Sequence, residues 1–348
     1  MTINETTDKI RALIRGEAAN ENIFPILYSH GADYLISLLP NEHIPDRYRV
    51  ERSLNKLAVK ERYVACRGFF EKADFPYAVI KGAVLSVGAY GDPFIRRSGD
   101  VDILIRRSDA DRLKGLLTSL GFIQGRVTES EIEPFSRKEI LFQTSMSHQT
   151  APYIKQTQNK LCPFVNLDVN TNVMWGESRE KADMDLILSY REECELFGTR
   201  FFKLSCEMEF ISLCLHHYKD MNSLYLLAGG SLKLGLLCDI YFYLKSTCPS
   251  PQKIKELSEK LNVGKYVYYC IYHASSFFAD GALEDYLGAL DCLKDTSLLN
   301  SFGLTASERK EWDLELSERL FRNDVPSYIN SRLSDTEKEK IKLNRELM

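Results

Sequence analysis

The chain has 348 residues, 44% hydrophobic and 27% charged, with 45 Lys and Arg against 49 Asp and Glu for a net charge of −4. That is the composition of a soluble globular protein, long enough for two domains or for a catalytic core with helical additions, and without the basic excess of a nucleic-acid binder. Nine cysteines are scattered with no Cys-x-x-Cys pair, no signal peptide opens the chain, and no apolar run reaches membrane length. Reduced thiols, a cytoplasmic location and no membrane partner are the expectation.

In chain order, residues 1–70 read as helices. Ile10, Leu13 and Ile14 have helical spacing. The stretch from Ile23 to Leu39 reads as a helix broken near Gly31 and ended by Pro40. A longer helix is predicted from about Arg47 to Lys72, with Leu54, Leu57, Val64, Phe69 and Phe70 at mixed three-and-four spacing. This region carries no evident chemistry, and packing is its expected job. Tyr77-Ala-Val-Ile80 is a short β-rich run. Lys81-Gly82 follows at once, then a short helix from Ala83 to Tyr90. Gly82 permits a tight strand-to-helix turn, and the helix start offers free N–H groups to a phosphate. Lys81 would add a point charge. A surface Lys-Gly turn fits the same residues.

The central stretch is Arg96-Arg97-Ser98-Gly99-Asp100-Val101-Asp102-Ile103-Leu104-Ile105. Its second half alternates apolar residues with two aspartates, the pattern of a half-buried strand. Side chains at i and i+2 share a face, about 7 Å apart. Asp100 and Asp102 therefore share one face, and Val101, Ile103 and Ile105 the other. Two like charges side by side repel unless a cation lies between them, and a hard divalent ion such as Mg²⁺ suits carboxylate oxygens. An edge strand with two solvated aspartates satisfies the same pattern. Arg96 and Arg97 fit either pairing with those aspartates or bidentate grip on phosphate.

Ser108 to Asp111 has the form of a capping box opening a helix with Leu113, Leu116, Leu117 and Leu120 inward and Gly121 as its stop. Ile140-Leu-Phe142 suggests another strand, and the polar residues 143–162 a long loop or lid. Phe164 to Thr171 alternates again, with Asn166, Asp168 and Asn170 on one face and Val165, Leu167 and Val169 on the other. Asp168 is the candidate third acid beside Asp100 and Asp102. From about Ser205 the chain turns helical: Glu207 to Lys219, Leu224 to Leu244 interrupted at Gly229-Gly230, then Tyr266 to Phe278 and Leu283 to Leu293. The tail beyond Ser334 reads as a solvated helix or frayed end. His216-His217 tempts as a metal pair, but adjacent helical residues point about 100° apart and rarely share an ion.

Together these residues resemble a known family. A Gly-containing turn, a helix, Asp-x-Asp on the next strand and a third acid on a later strand is the pattern of the DNA polymerase β-like nucleotidyltransferase superfamily. More narrowly, Lys81-Gly82-Ala-Val-Leu85, Tyr90, Pro93, Arg96 and Gly99-Asp100-Val-Asp102 resemble the bacterial family of uncharacterised nucleotidyltransferases. Leu213-Cys-Leu-His216 and Leu237-Cys-Asp239-Ile resemble its helical part, so that the likeness spans roughly residues 20–245. Two departures stand out. Where the family often has Asp-Leu-His-Trp, this chain has Asp168-Val-Asn-Thr, and the superfamily's Gly-Ser or Gly-Gly turn is Lys81-Gly82-Ala83.

The resemblance implies an α+β fold: a small mixed sheet with helices over residues 71–200, flanked by helical regions at 1–70 and 201–348, the latter expected to bind the acceptor. It implies Asp100, Asp102 and Asp168 as catalytic metal ligands for Mg²⁺ or Mn²⁺, and Lys81, Gly82, Arg96 and Gly99 around a nucleoside triphosphate, with ATP the first candidate. The implied reaction moves a nucleoside monophosphate to a hydroxyl or amine of a small-molecule acceptor and releases pyrophosphate. A protein or RNA acceptor is an alternative, RNA being disfavoured by the acidic balance. So are a non-catalytic nucleotide- or partner-binding module on the same fold and a phosphotransferase on another fold.

Overall fold

The computed structural model describes residues 1–17, 21–129, 131–146, 148–176, 178 and 180–347. Residues 18–20 of the expected N-terminal helices, and Ser147 of the expected lid, lie outside them. The chain divides into two compact units: residues 45–213 with 242–261, and residues 1–44 with 214–241 and 262–348.

The first of these units is built on an eight-stranded sheet. In chain order the strands are β1 (Tyr77–Ile80), β2 (Asp100–Ile105), β3 (Ile123–Thr128), β4 (Glu131–Pro134), β5 (Tyr153–Gln156), β6 (Phe164–Asn170), β7 (Arg191–Leu196) and β8 (Thr199–Leu204). Their spatial order is β4-β3-β5-β6-β2-β1-β8-β7. The sheet is mixed: β2 and β6 run parallel, as do β1 and β8, while β1 and β2 are antiparallel. The fold class is the α+β arrangement expected, with more strands than the four runs read as strands in the sequence.

The alternation on β2 and β6 does what its period dictates. Val101, Ile103 and Ile105 join Val165, Leu167 and Val169 in one buried apolar cluster with Tyr77 and Val79 of β1. The helix Asp46–Lys72 supplies Val59, Tyr63, Cys66, Phe69 and Phe70 to the same cluster, and the helix Ala110–Ser119 supplies Leu113 and Leu117. Each fully buried aromatic or branched side chain stabilises by roughly 1.5–3 kcal/mol, so this face is the main store of stability in the unit. The Asp46–Lys72 helix has a different inner stripe from the one its leucines suggest. Leu54, Leu57 and Val64 are exposed, and the aromatic residues turn inward.

Three local expectations are corrected. Ile140-Leu-Phe142 lies in the helix Arg137–Met146, not a strand. Three apolar residues in a row match either period, and the Ser136–Glu139 pair ahead of them forms the helix-opening hydrogen bonds, Ser136 N to Glu139 Oε2 at 2.7 Å and Glu139 N to Ser136 Oγ at 3.3 Å. The stretch 143–162 is not all loop, because Tyr153–Gln156 forms β5 between β3 and β6. Ser108–Asp111 is not a capping box. A 3₁₀ turn, Arg107–Asp109, leads into the helix, whose cap residue Asp109 makes no side-chain cap bond. The Asp109 carboxylate is taken by Arg112 at 3.1 Å instead.

The other unit is helical, with a two-stranded ribbon of Ser301–Phe302 and Lys310–Glu311. Its helix Ile3–Ile14 opens on a capping box between Thr2 and Glu5, and Arg11 Nε donates to the Phe277 carbonyl at 2.6 Å. The interruption at Gly31 appears as a φ of +62° between the helix Phe24–Ser29 and the 3₁₀ segment Asp33–Leu38. Trp312, Phe302, Leu224 and Val325 belong to a second apolar cluster. The charged tail is the helix Asp335–Leu347. Among the described residues, no helix is long and apolar enough to cross a membrane.

Candidate functional site

The site lies on the sheet face opposite the β2–β6 apolar cluster. Register places Asp102 beside Asp168 and Asp100 beside Asn166 on the parallel pair β2–β6. Neighbouring strands lie about 5 Å apart and directly paired residues point the same way, so Asp100, Asp102, Asp168, Asn166 and Asn170 share one face. All three expected aspartates are thus brought to one surface by two adjacent strands.

Lys81 joins them across β1. It sits between β1 and the helix Gly82–Tyr90, with φ +57° and ψ −148°, a region that side chains other than glycine rarely occupy. Gly82 follows with φ +48°, and a Cβ there would stand 3.3 Å from the Ser98 hydroxyl. The turn thus needs glycine at 82 and strains the residue at 81. Its result is that Lys81 Nζ lies 3.2 Å from Asp102 Oδ1. Asn170 Nδ2 donates to the same oxygen at 3.1 Å.

The loop before β2 is held from the side. Arg52 pairs with Asp92 at 2.8 Å, Asn55 Nδ2 donates to the Phe94 carbonyl at 2.9 Å, and Arg62 donates to the Ser98 carbonyl at 2.6 Å. Arg97 pairs with Glu51 at 2.6 Å. All four helix residues come from Asp46–Lys72, so the polar side of that helix fixes the approach to the site while its aromatic side packs the core. Arg96 is half-buried beside this loop, its N–H donating to Ser86 Oγ at 3.1 Å. Gly99 is exposed, with nothing within 4 Å of where a Cβ would stand. Ser98 Oγ donates to the backbone carbonyl of Asp100 at 2.9 Å and lies 3.3 Å from its Oδ1.

The electrostatics follow from burial and crowding. Burial, then the charges of Asp100 and Asp102, push the Asp168 carboxyl up to about 7, against the pull of Lys81. Burial first and Asp102 second also raise Asp100, with Lys81, Ser98 and Arg62 opposing. Two oxygens on this face, Asp168 Oδ1 and Asn166 Oδ1, are buried without a hydrogen-bond partner. Such atoms cost roughly 1–3 kcal/mol each and call for a ligand, ion or water.

The donor set suits a hard cation. Among the described residues, no three His, Cys, Asp or Glu side chains converge tightly enough to hold a metal ion by themselves. Mg²⁺ does not require that, since it binds through one or two carboxylates and completes its shell with water and substrate phosphates. Asp100, Asp102 and Asp168, on adjacent strands, are the carboxylates from which one or two could be drawn.

Residues 12–279 match the family described as uncharacterised nucleotidyltransferase. The chain belongs to that family. No curated protein matches the chain. Among solved structures, an antigenic nucleotidyltransferase-like protein from Paracoccidioides brasiliensis is similar over 68% of this chain and 92% of that one, at 18% identity and a TM-score of 0.40. Within this family member, three contributors to the site carry little signal in sequence. Ser98 and Asn170 hold Asp100 and Asp102, and Asn166 adds an unpartnered oxygen. Only the alternation of Asn166, Asp168 and Asn170 hinted at the last two.

The two histidines point apart, as helical geometry requires. His216 Nε2 pairs with Asp220 at 3.3 Å, and buried His217 Nε2 with buried Asp239 at 3.1 Å.

Proposed function

We propose that this protein is a metal-dependent nucleotidyltransferase that moves a nucleoside monophosphate from a nucleoside triphosphate, ATP the first candidate, to a hydroxyl or amine of a small molecule. The observation that carries the reading is the placing of Asp100, Asp102 and Asp168 on one face of two parallel strands, with Asp168 Oδ1 buried and unpartnered. Family membership supports transfer of a nucleotidyl group in general.

When bound at the aspartates, Mg²⁺ or Mn²⁺ supplies Lewis-acid polarisation and charge neutralisation at the phosphates. The chain's own residues do the rest. Lys81 exchanges Asp102 for phosphate oxygens, and Arg96 adds its charge from the loop. The N–H groups at Gly82 open the nine-residue helix Gly82–Tyr90 toward an anion. Gly99 leaves room for close approach. Asp168 Oδ1 receives the proton of the attacking hydroxyl or amine.

The test is calorimetric titration of the four common nucleoside triphosphates with and without Mg²⁺, followed by an acceptor screen read by pyrophosphate release. Metal-dependent binding with pyrophosphate release supports the reading. Release of orthophosphate instead would assign phosphoryl transfer. Metal-independent binding with no turnover would assign a binding module.

A further inference from the structure

Glu209 lies in the first turn of the helix Cys206–Asn222 and is 5% exposed. Its Oε1 is buried and has no hydrogen-bond partner in the protein. The other oxygen, Oε2, is 3.8 Å from Lys203, which is held more closely by Glu192 at 2.6 Å. The nearby Tyr243 hydroxyl donates to the Cys206 carbonyl at 3.0 Å. Burial raises the Glu209 carboxyl to about 7, with Lys203 and Tyr243 opposing and Glu192 adding. An unpartnered buried acceptor is costly and needs an account.

A small void offers one. It is lined by Ile80, Lys81, Leu85, Glu209, Ser212 and Leu213, and its volume is about 10 Å³ for the centre of a water molecule. That is room for roughly one water, and three polar lining residues can give it the two or more partners it needs. Lys81, on the same void, is the residue held at φ +57° and ψ −148°. A backbone in that region costs roughly 1–3 kcal/mol and persists only when its surroundings fix it.

We propose that Glu209 is a positioning residue for Lys81, acting through a single water held in this void. The water donates to Glu209 Oε1 and bonds the polar groups of Lys81 across the void. It ties the strained turn after β1 to a buried anchor and keeps the ammonium on the aspartate face. Glu209 itself touches no substrate. The inference rests on the nucleotidyl-transfer reading only in giving Lys81 a phosphate to meet.

Two arms of the test use the free protein, without metal or nucleotide. A crystal structure of the unmodified chain that shows ordered water should place one within hydrogen-bond distance of Glu209 Oε1; an empty void overturns the proposal. Hydrogen exchange at residues 81–85 should quicken roughly tenfold in Glu209→Leu and stay near wild type in Glu209→Gln, which keeps an acceptor oxygen. Unchanged exchange in Glu209→Leu overturns it. The third arm is Mg·ATP binding by calorimetry. Glu209→Leu should weaken it roughly tenfold, Glu209→Gln less than about twofold, and Glu209→Leu should add nothing in a Lys81→Met background. An equal loss in that background would make Glu209 a structural residue only. A wild type that binds none of the four common triphosphates with Mg²⁺ would overturn the transferase reading, while the first two arms would still decide the role of Glu209.

Discussion

Lys81 Nζ and Asp102 Oδ1 lie 3.2 Å apart, and both side chains are largely buried, 14% and 8% exposed. The same oxygen accepts from Asn170. One acid of the three is therefore compensated by a fixed cation and a carboxamide. Burial and the neighbouring carboxylates raise the other two, Asp100 and Asp168. The arrangement is tolerable without a divalent ion and improved by one, since a cation relieves the repulsion that Lys81 only partly offsets.

Asp100→Asn and Asp102→Asn keep shape and remove charge. We expect both variants to fold, by circular dichroism, and to lose Mg²⁺-dependent triphosphate binding by roughly 100-fold or more. A double variant that still turned over substrate would sink the assignment of these residues.

Asp168 predicts a pH effect on the metal-free protein. Its carboxyl titrates near 3.9 in an unfolded chain and at about 7 when folded. The folded state thus holds the extra proton between those values. The stabilisation is fully present below about pH 4 and is lost as pH rises through 7. Unfolding in EDTA should show wild type losing on the order of 2 kcal/mol more than Asp168→Asn between pH 4 and 8, after allowance for solvent screening. Parallel pH profiles for the two proteins would contradict the burial argument.

Gly82→Ala tests the turn. A side chain there must adopt φ +48° and press on Ser98 Oγ, which is hydrogen-bonded to Asp100. Destabilisation by about 1–2 kcal/mol is expected in urea titration, with weaker triphosphate binding.

The His217–Asp239 pair tests the helical unit. Both partners are buried. His217→Ala removes the imidazole partner of a buried carboxylate and should cost roughly 3–5 kcal/mol by chemical denaturation. Asp239→Asn, which keeps a hydrogen-bonding group, should cost clearly less. Equal costs would mean the pair acts by packing alone.

The period-2 alternation of Asp100 to Ile105 and of Phe164 to Asn170 determined, without tertiary information, which side of each strand is apolar and which is acidic. That followed because a pleated strand leaves a side chain only two directions. The Lys81-Gly82 turn and the helices beyond residue 205 were legible for similar local reasons. Only the tertiary structure decided that β2 and β6 are neighbours in parallel register, because pairing between strands some 60 residues apart depends on which faces bury together. It also decided that Ile140–Phe142 is helical and that Tyr153–Gln156 enters the sheet, since short apolar runs fit both periods. The partners of the acids, Ser98 for Asp100 and Asn170 for Asp102, and the buried Glu209 beside Lys81, came from the fold as well. Hydrogen bonding and desolvation depend on distance in space, and spacing along the chain does not encode it.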